Sequence, residues 1–149
     1  MNCEFPTINS DLEKIKEYLT KYKNIAIIGA SPNPTKDSHK VTKYMIEAGY
    51  NVFPIYPKEE YILGQKVYRS LEEIDKEVDI VVIFRKPAAL VDIAKKVIAR
   101  GDVKVFWAQL GIVNNEAAQM VKDAGIEVVQ NRCIKIDHNY LFNQKKEED

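Results

Sequence analysis

The sequence has no apolar run approaching the roughly 18 residues needed to cross a bilayer, so no membrane-spanning helix is expected. It has two cysteines, Cys3 and Cys133, too few and too far apart for a disulfide framework. Two histidines add no metal-ligand spacing, and no metal is expected. Neither sign of charge is in excess: 22 Lys and Arg stand against 22 Asp and Glu. A general nucleic-acid binder carries a basic surplus, so that class is set aside. The opening "MNCEFPTINS" lacks a basic region followed by an apolar one, so it does not read as a signal peptide, and the expected location is cytoplasmic.

Glycine is also scarce. After the apolar stretch "NIAIIG" the chain runs "GASPNPTKDSH", with Gly29 followed by Pro32 and Pro34. A dinucleotide fingerprint needs G-x-G-x-x-G, whose middle glycine lets backbone approach a pyrophosphate. Pro32 cannot even donate an N–H. A standard dinucleotide turn is therefore not expected here.

What is present is an ordinary folding composition, 46% hydrophobic and 30% charged over 149 residues, which suits one domain with a real core. The first helix is expected over about 10–22. Ser10 and Glu13 fit a capping box, and Leu12, Ile15 and Leu19 recur at helical spacing. "NIAIIG" reads as a strand covered on both faces. Residues 38–49 form a helical stripe through Val41, Tyr44, Met45 and Ala48. Residues 51–56 read as a strand, with Pro54 marking an edge or an irregularity. A hairpin or extended excursion around Gly64 spans 59–70, and 70–75 is a short helical turn. Strands at 79–84, 103–108 and 126–130 alternate with helices at 86–101 and 114–125. Pro87 opens the first of these helices, and Asn114 or Asn115 caps the second. The tail from about 141 to 149 reads as frayed.

Three times a helix ends in glycine and feeds an apolar strand: at Gly49, Gly101 and Gly125. These joints belong to a right-handed βαβ series. The fold class is therefore α/β: a Rossmann-like, doubly wound, mostly parallel five-stranded sheet with helices on both faces.

Ligands of such sheets bind beyond the carboxyl ends of the strands. Four segments lie there. In the first, Ser31 and the helix start near Ser38 offer a hydroxyl and unpaired N–H groups to an anion, unless Ser38 merely caps that helix. The second strand ends in Tyr56, Pro57 and Lys58, where an NAD site would have a carboxylate for the ribose. A cation there suits an extra phosphate near the ribose, as in NADP or coenzyme A. The third segment, "FRKP", supplies Arg85, a bidentate phosphate donor, or equally a salt-bridge partner. In the fourth, "AQLG", Gln109 offers an amide, and Trp107 reads as core. Catalytic candidates are few. Cys133 and His138 lie five residues apart with no third group to orient them, and His39 is no clear acid–base residue.

In combination, "GASPNP", the "YPK" strand ending, "WAQLG" and "NRCIK" resemble the small stand-alone CoA-binding proteins, over residues 20 to 140. These in turn are similar to the N-terminal CoA-binding domain of the succinyl-CoA synthetase α-subunit. The resemblance implies coenzyme A, or an acyl-CoA, held in an extended groove. Gly29, Ala30 and Ser31 would line the pyrophosphate, and Lys36, Ser38 and His39 would complete that cradle. Pro57 and Lys58 would meet the adenosine end with its 3′-phosphate. Arg85, Lys86 and Pro87 would border the nucleotide, and Gln109 would lie toward the pantetheine arm. Lys36 stands where relatives often have arginine. The synthetase's ligase domain, with its phosphorylated histidine, has no counterpart in this sequence, so a non-catalytic, regulatory binder is expected. The alternatives are an NADP- or CoA-dependent enzyme, or a CoA-sensing subunit of a larger complex. A protein partner or homo-oligomer stays open.

Overall fold

A run such as Ile80–Ile83 has no polar position to turn toward water, so it is stable only when covered on both faces. The computed structural model, which describes residues 4–143, covers it in that way. In chain order the elements are α1 (Leu12–Lys21), β1 (Asn24–Ile28), α2 (Asp37–Glu47), β2 (Asn51–Ile55), the short strands β3 (Tyr61–Ile62) and β4 (Gln65–Lys66), β5 (Ile80–Ile83), α3 (Leu90–Arg100), β6 (Val105–Ala108), α4 (Asn115–Asp123), β7 (Glu127–Val129) and α5 (Ile134–Phe142). Short 3-10 turns fill Leu71–Glu73 and Pro87–Ala89.

Five strands form one sheet in the order β2-β1-β5-β6-β7, with every neighbouring pair parallel. β3 and β4 form a separate antiparallel hairpin around Gly64. The strand path steps from β1 outward to β2, then returns to β5 and continues the other way. The switch therefore falls between β1 and β5, where a crevice opens at the carboxyl edge.

Alternation along each strand divides the core in two. Ala26, Ile28, Val81, Ile83 and Phe106 face α3 and α4, packing on Leu90, Ala94, Ala117 and Val121. Ile25, Ile27, Ile80, Val82 and Trp107 face α1, α2 and α5, packing on Ile15, Leu19, Met45 and Ile134. Each fully buried aliphatic side chain stabilises the fold by about 1.5–3 kcal/mol, so β5, buried at all four positions, anchors both layers.

Pro54 lies on the edge strand β2. Its carbonyl accepts from Tyr68 N–H at 2.9 Å, on the side away from β1. Its missing N–H falls on that same outer side and costs no ladder bond. Gly49, Gly101 and Gly125 all take left-handed backbone at the helix-to-strand joints.

Three local expectations are corrected. The capping box does not form: Asp11 caps α1, accepting from Lys14 N–H. Ser10 instead donates to the Val128 carbonyl at 2.7 Å, tying the N-terminal segment to β7. Ser38 does not cap α2. Lys36 holds that position without a side-chain bond, and Ser38 lies buried within the first turn. Finally, α5 occupies a stretch where no helix was expected, and it carries Leu141 and Phe142 in helix; positions 144–149 of the expected tail lie outside the described residues.

Candidate functional site

β1 delivers the chain to the switch point at Gly29. A Cβ there would sit 2.4 Å from the Phe84 carbonyl oxygen, and φ is +88°. Only glycine permits this approach of the β1 and β5 exits without displacement. Phe84 N–H donates to the Ile28 carbonyl at 2.9 Å, and Ala30 N–H to the Ile55 carbonyl at 3.2 Å. Gly29 is thus held between the ends of β5 and β2.

The proline-containing loop beyond is shaped by its own side chains. Ser31 Oγ accepts from Asn33 N–H at 3.1 Å, and Asn33 Oδ1 accepts from Thr35 N–H at 3.0 Å. His39 Nδ1 lies 2.8 Å from the Ser31 carbonyl. A carbonyl only accepts, so Nδ1 carries the proton there and His39 fastens the loop to α2. At the start of α2 the N–H groups of Asp37 and Ser38 meet no acceptor among the described residues. This is the partly positive helix end that anions favour.

Two cavities flank this edge, and adjacent residues at the end of β5 face one each. Arg85 lines a crevice of about 300 Å³ on the α3 side, floored by Ile28 and Ile55 and walled by Arg69, Ser70, Asp92 and Lys96. Phe84 lines a cavity of about 260 Å³ on the other side, between α2 and α5, with Gln109, Leu110, Cys133, Lys135 and Ile136.

The structure brings Gly29, Ala30, Ser31, Lys36, Ser38 and His39 into one loop and helix start, beside the ends of β2 and β5. Pro57, Lys58, Lys86 and Lys36 are exposed. Among the described residues Lys58, Arg85 and Lys86 enter no ion pair. Pro87 is drawn elsewhere: it lines a pocket with Gly111 and Asn131, and its carbonyl accepts from Asn114 Nδ2 at 2.8 Å. Gln109 is 3% exposed, and its Oε1 accepts from Ile134 N–H at 3.0 Å. It therefore supplies the cap of α5 from 25 residues away.

Arg69 is the residue the sequence did not flag. Its guanidinium donates to the carbonyls of Tyr56, Lys58 and Glu59 at 3.1, 2.9 and 2.8 Å, and so presents the "YPK" turn. Only its place in the excursion opposite that turn would have hinted at it. Asp92 and Lys96 were hidden as one helix face of α3.

Cys133 and His138 do not form a pair. His138 Nδ1 is hydrogen-bonded to the Tyr44 hydroxyl at 2.9 Å, and the ring packs on Tyr44, Tyr50 and Phe142. Burial, then the charge of Lys23, holds its pKa below the ordinary 6.5. Burial pushes Tyr50 up to about 12.

The beginning of β7's exit is closed by contrast. Gln130, 0% exposed, has its Oε1 bonded to Asn114 N–H at 2.8 Å and its Nε2 to the Ile8 carbonyl and Asn115 Oδ1, both at 3.1 Å. Asn9 accepts from Gln130 N–H and donates to its carbonyl.

Against known proteins, the family model described as "CoA binding domain" matches residues 23–139. The chain is 43% identical over 130 residues to the uncharacterized protein YneT of Bacillus subtilis, covering 87% of this chain and 96% of that one. A hypothetical protein from Pyrococcus horikoshii superposes with a TM-score of 0.87 at 38% identity, covering 96% of this chain and 100% of that chain. An ADP-forming acetate–CoA ligase of Methanocaldococcus jannaschii is 26% identical over 133 residues, and the chain spans 19% of that ligase's length.

Proposed function

The chain belongs to the CoA binding domain family, and we propose that it binds coenzyme A or an acyl-CoA across the switch point, as a non-catalytic and regulatory module. One observation carries this placement: Phe84 and Arg85, consecutive at the end of β5, face two separate cavities across a glycine pinch. An extended ligand with a phosphorylated nucleotide at one end and an uncharged arm at the other matches that division. The cationic crevice suits the nucleotide, and the less charged cavity suits the arm.

In this reading Gly29, Ala30 and Ser31, with the free N–H groups at the start of α2, line the pyrophosphate. Ser38 contributes through its backbone, since its side chain is buried. Lys36 adds charge, and His39 holds the loop in place. Pro57 and Lys58, presented by Arg69, meet the 3′-phosphate. Arg85 and Lys86 border the nucleotide, and Pro87 shapes the turn behind them. Gln109 reaches toward the pantetheine amides. Coenzyme A, when bound, supplies a thiol or thioester at the far end of that arm. The non-catalytic part of the reading draws support from His138, whose ring is enclosed by aromatic neighbours and whose Nδ1 is occupied.

Calorimetry with coenzyme A and with 3′-dephospho-coenzyme A tests the reading. Coenzyme A is expected to bind with Kd below about 1 mM, and loss of the 3′-phosphate to weaken it about tenfold or more. Lys58→Ala is expected to erase the difference between the two ligands. No binding of coenzyme A in that range overturns the proposal.

A further inference from the structure

The cavity between α2 and α5 contains a free thiol, Cys133, at the N-cap position of the nine-residue helix α5. Serine, threonine, aspartate and asparagine are the usual residues at such a position. Cys133 makes no capping bond, and Gln109 Oε1 takes the Ile134 N–H. The cavity wall therefore presents a half-buried sulfur that the helix end does not use.

A second observation points to a ligand in the same space. Gln109 is only 3% exposed, yet its Nε2 has no partner among the described residues. No fully enclosed side-chain nitrogen or oxygen among those residues lacks a partner. Gln109 Nε2 is thus open to the cavity that its residue lines, and it offers a donor there. Lys40 and Lys135 line the same cavity, with Asp37 as the single carboxylate among its lining residues. Val41, Phe84, Leu110 and Ile136 supply apolar wall.

We propose that Cys133 is a thiol–disulfide exchange site that captures coenzyme A as a mixed disulfide. The inference rests on the reading that the chain binds coenzyme A. The substrate class is a low-molecular-weight disulfide of coenzyme A. Cys133 loses its proton to solvent, and its sulfur attacks one sulfur of the CoA disulfide. A new S–S bond forms as the old one breaks, and the departing CoA thiolate takes a proton. Cys133 is oxidised, the departing sulfur is reduced, and no other oxidant is required. Excess free thiol reverses the step.

Intact mass spectrometry under non-reducing conditions tests this on the full chain. Wild-type protein mixed with CoA disulfide is expected to gain the mass of one coenzyme A less two hydrogens. The adduct is expected to form about a hundredfold faster than the adduct with glutathione disulfide, because a seated nucleotide raises the effective concentration at the thiol. Cys133→Ser, which places a favoured capping residue at the helix start, is expected to lose the adduct while still binding free coenzyme A. Cys3→Ser is expected to keep both. Binding of free coenzyme A with equal exchange rates for the two disulfides overturns the inference and leaves the binding reading standing. Retention of the adduct in Cys133→Ser overturns it as well. Failure to bind coenzyme A at all removes both.

Discussion

Gln109 and Gln130 occupy equivalent places at the ends of two neighbouring strands on one carboxyl edge. Each follows directly on its strand, β6 or β7, and each is buried. Gln130 uses its carboxamide oxygen and both donors' worth of nitrogen on Asn114, Ile8 and Asn115. Around it Asn9, Asn114 and Asn115 close the edge with neutral groups that satisfy one another. Gln109 uses only its oxygen. Arg85 and Lys86 follow the neighbouring strand β5, and neither is paired among the described residues. Polar residues after a parallel strand thus serve two ends: at β7 they lock a segment in place, and at β5 and β6 they leave bonding capacity for something else. A buried polar group with no partner is costly, so retained capacity at an otherwise well-satisfied edge has functional meaning.

The largest break in this contrast is expected at Gly29. In Gly29→Ala the new methyl meets the Phe84 carbonyl with φ still positive, so β1 and β5 must part or the backbone must refold. A loss of about 2–5 kcal/mol is expected in urea unfolding, together with loss of coenzyme A binding. Full stability in that variant would show the pinch to be soft.

Replacing each glutamine by leucine separates the two ends. Gln130→Leu strands the Asn114 N–H and the Ile8 carbonyl, and is expected to cost about 1–3 kcal/mol while leaving ligand affinity unchanged. Gln109→Leu removes a single cap, and is expected to cost about 1 kcal/mol but also to weaken coenzyme A binding. Equal effects of the two variants on affinity would erase the distinction between open and closed ends.

The smallest effect concerns pH. The open end leans on α5, whose middle turn carries His138 with its pKa lowered by burial and by Lys23. Its unfolded state binds the proton more readily, so stability is constant above pH 6.5 and falls as pH drops from 6.5 toward the folded pKa. His138→Phe is expected to flatten that part of a stability-against-pH profile measured by chemical denaturation. A wild-type profile that rises on acidification through pH 6.5 would contradict the assignment.

The strands were legible because β5 and β6 are apolar at every position, and because glycine marks the joints at Gly49, Gly101 and Gly125. Lys58 and Arg85 were legible as cations at strand exits, where open sheets bind ligands. α5 was not legible. Its cap comes from Gln109, distant in sequence, and its own first residues carry no capping signal. Ser10 and Ser38 misled for the reverse reason. Each fits a local capping pattern, but Ser10 is drawn away by β7 and Ser38 is turned inward by packing.

By itself the sequence determined the alternation of helix and strand, the parallel sheet and the charge at its exits, because periodicity and glycine placement act over a few residues. Only the tertiary structure decided which polar groups are consumed and which remain free. That depends on partners 25 to 122 residues away, such as Ile134 for Gln109 and Ile8 for Gln130, which the chain brings together only on folding.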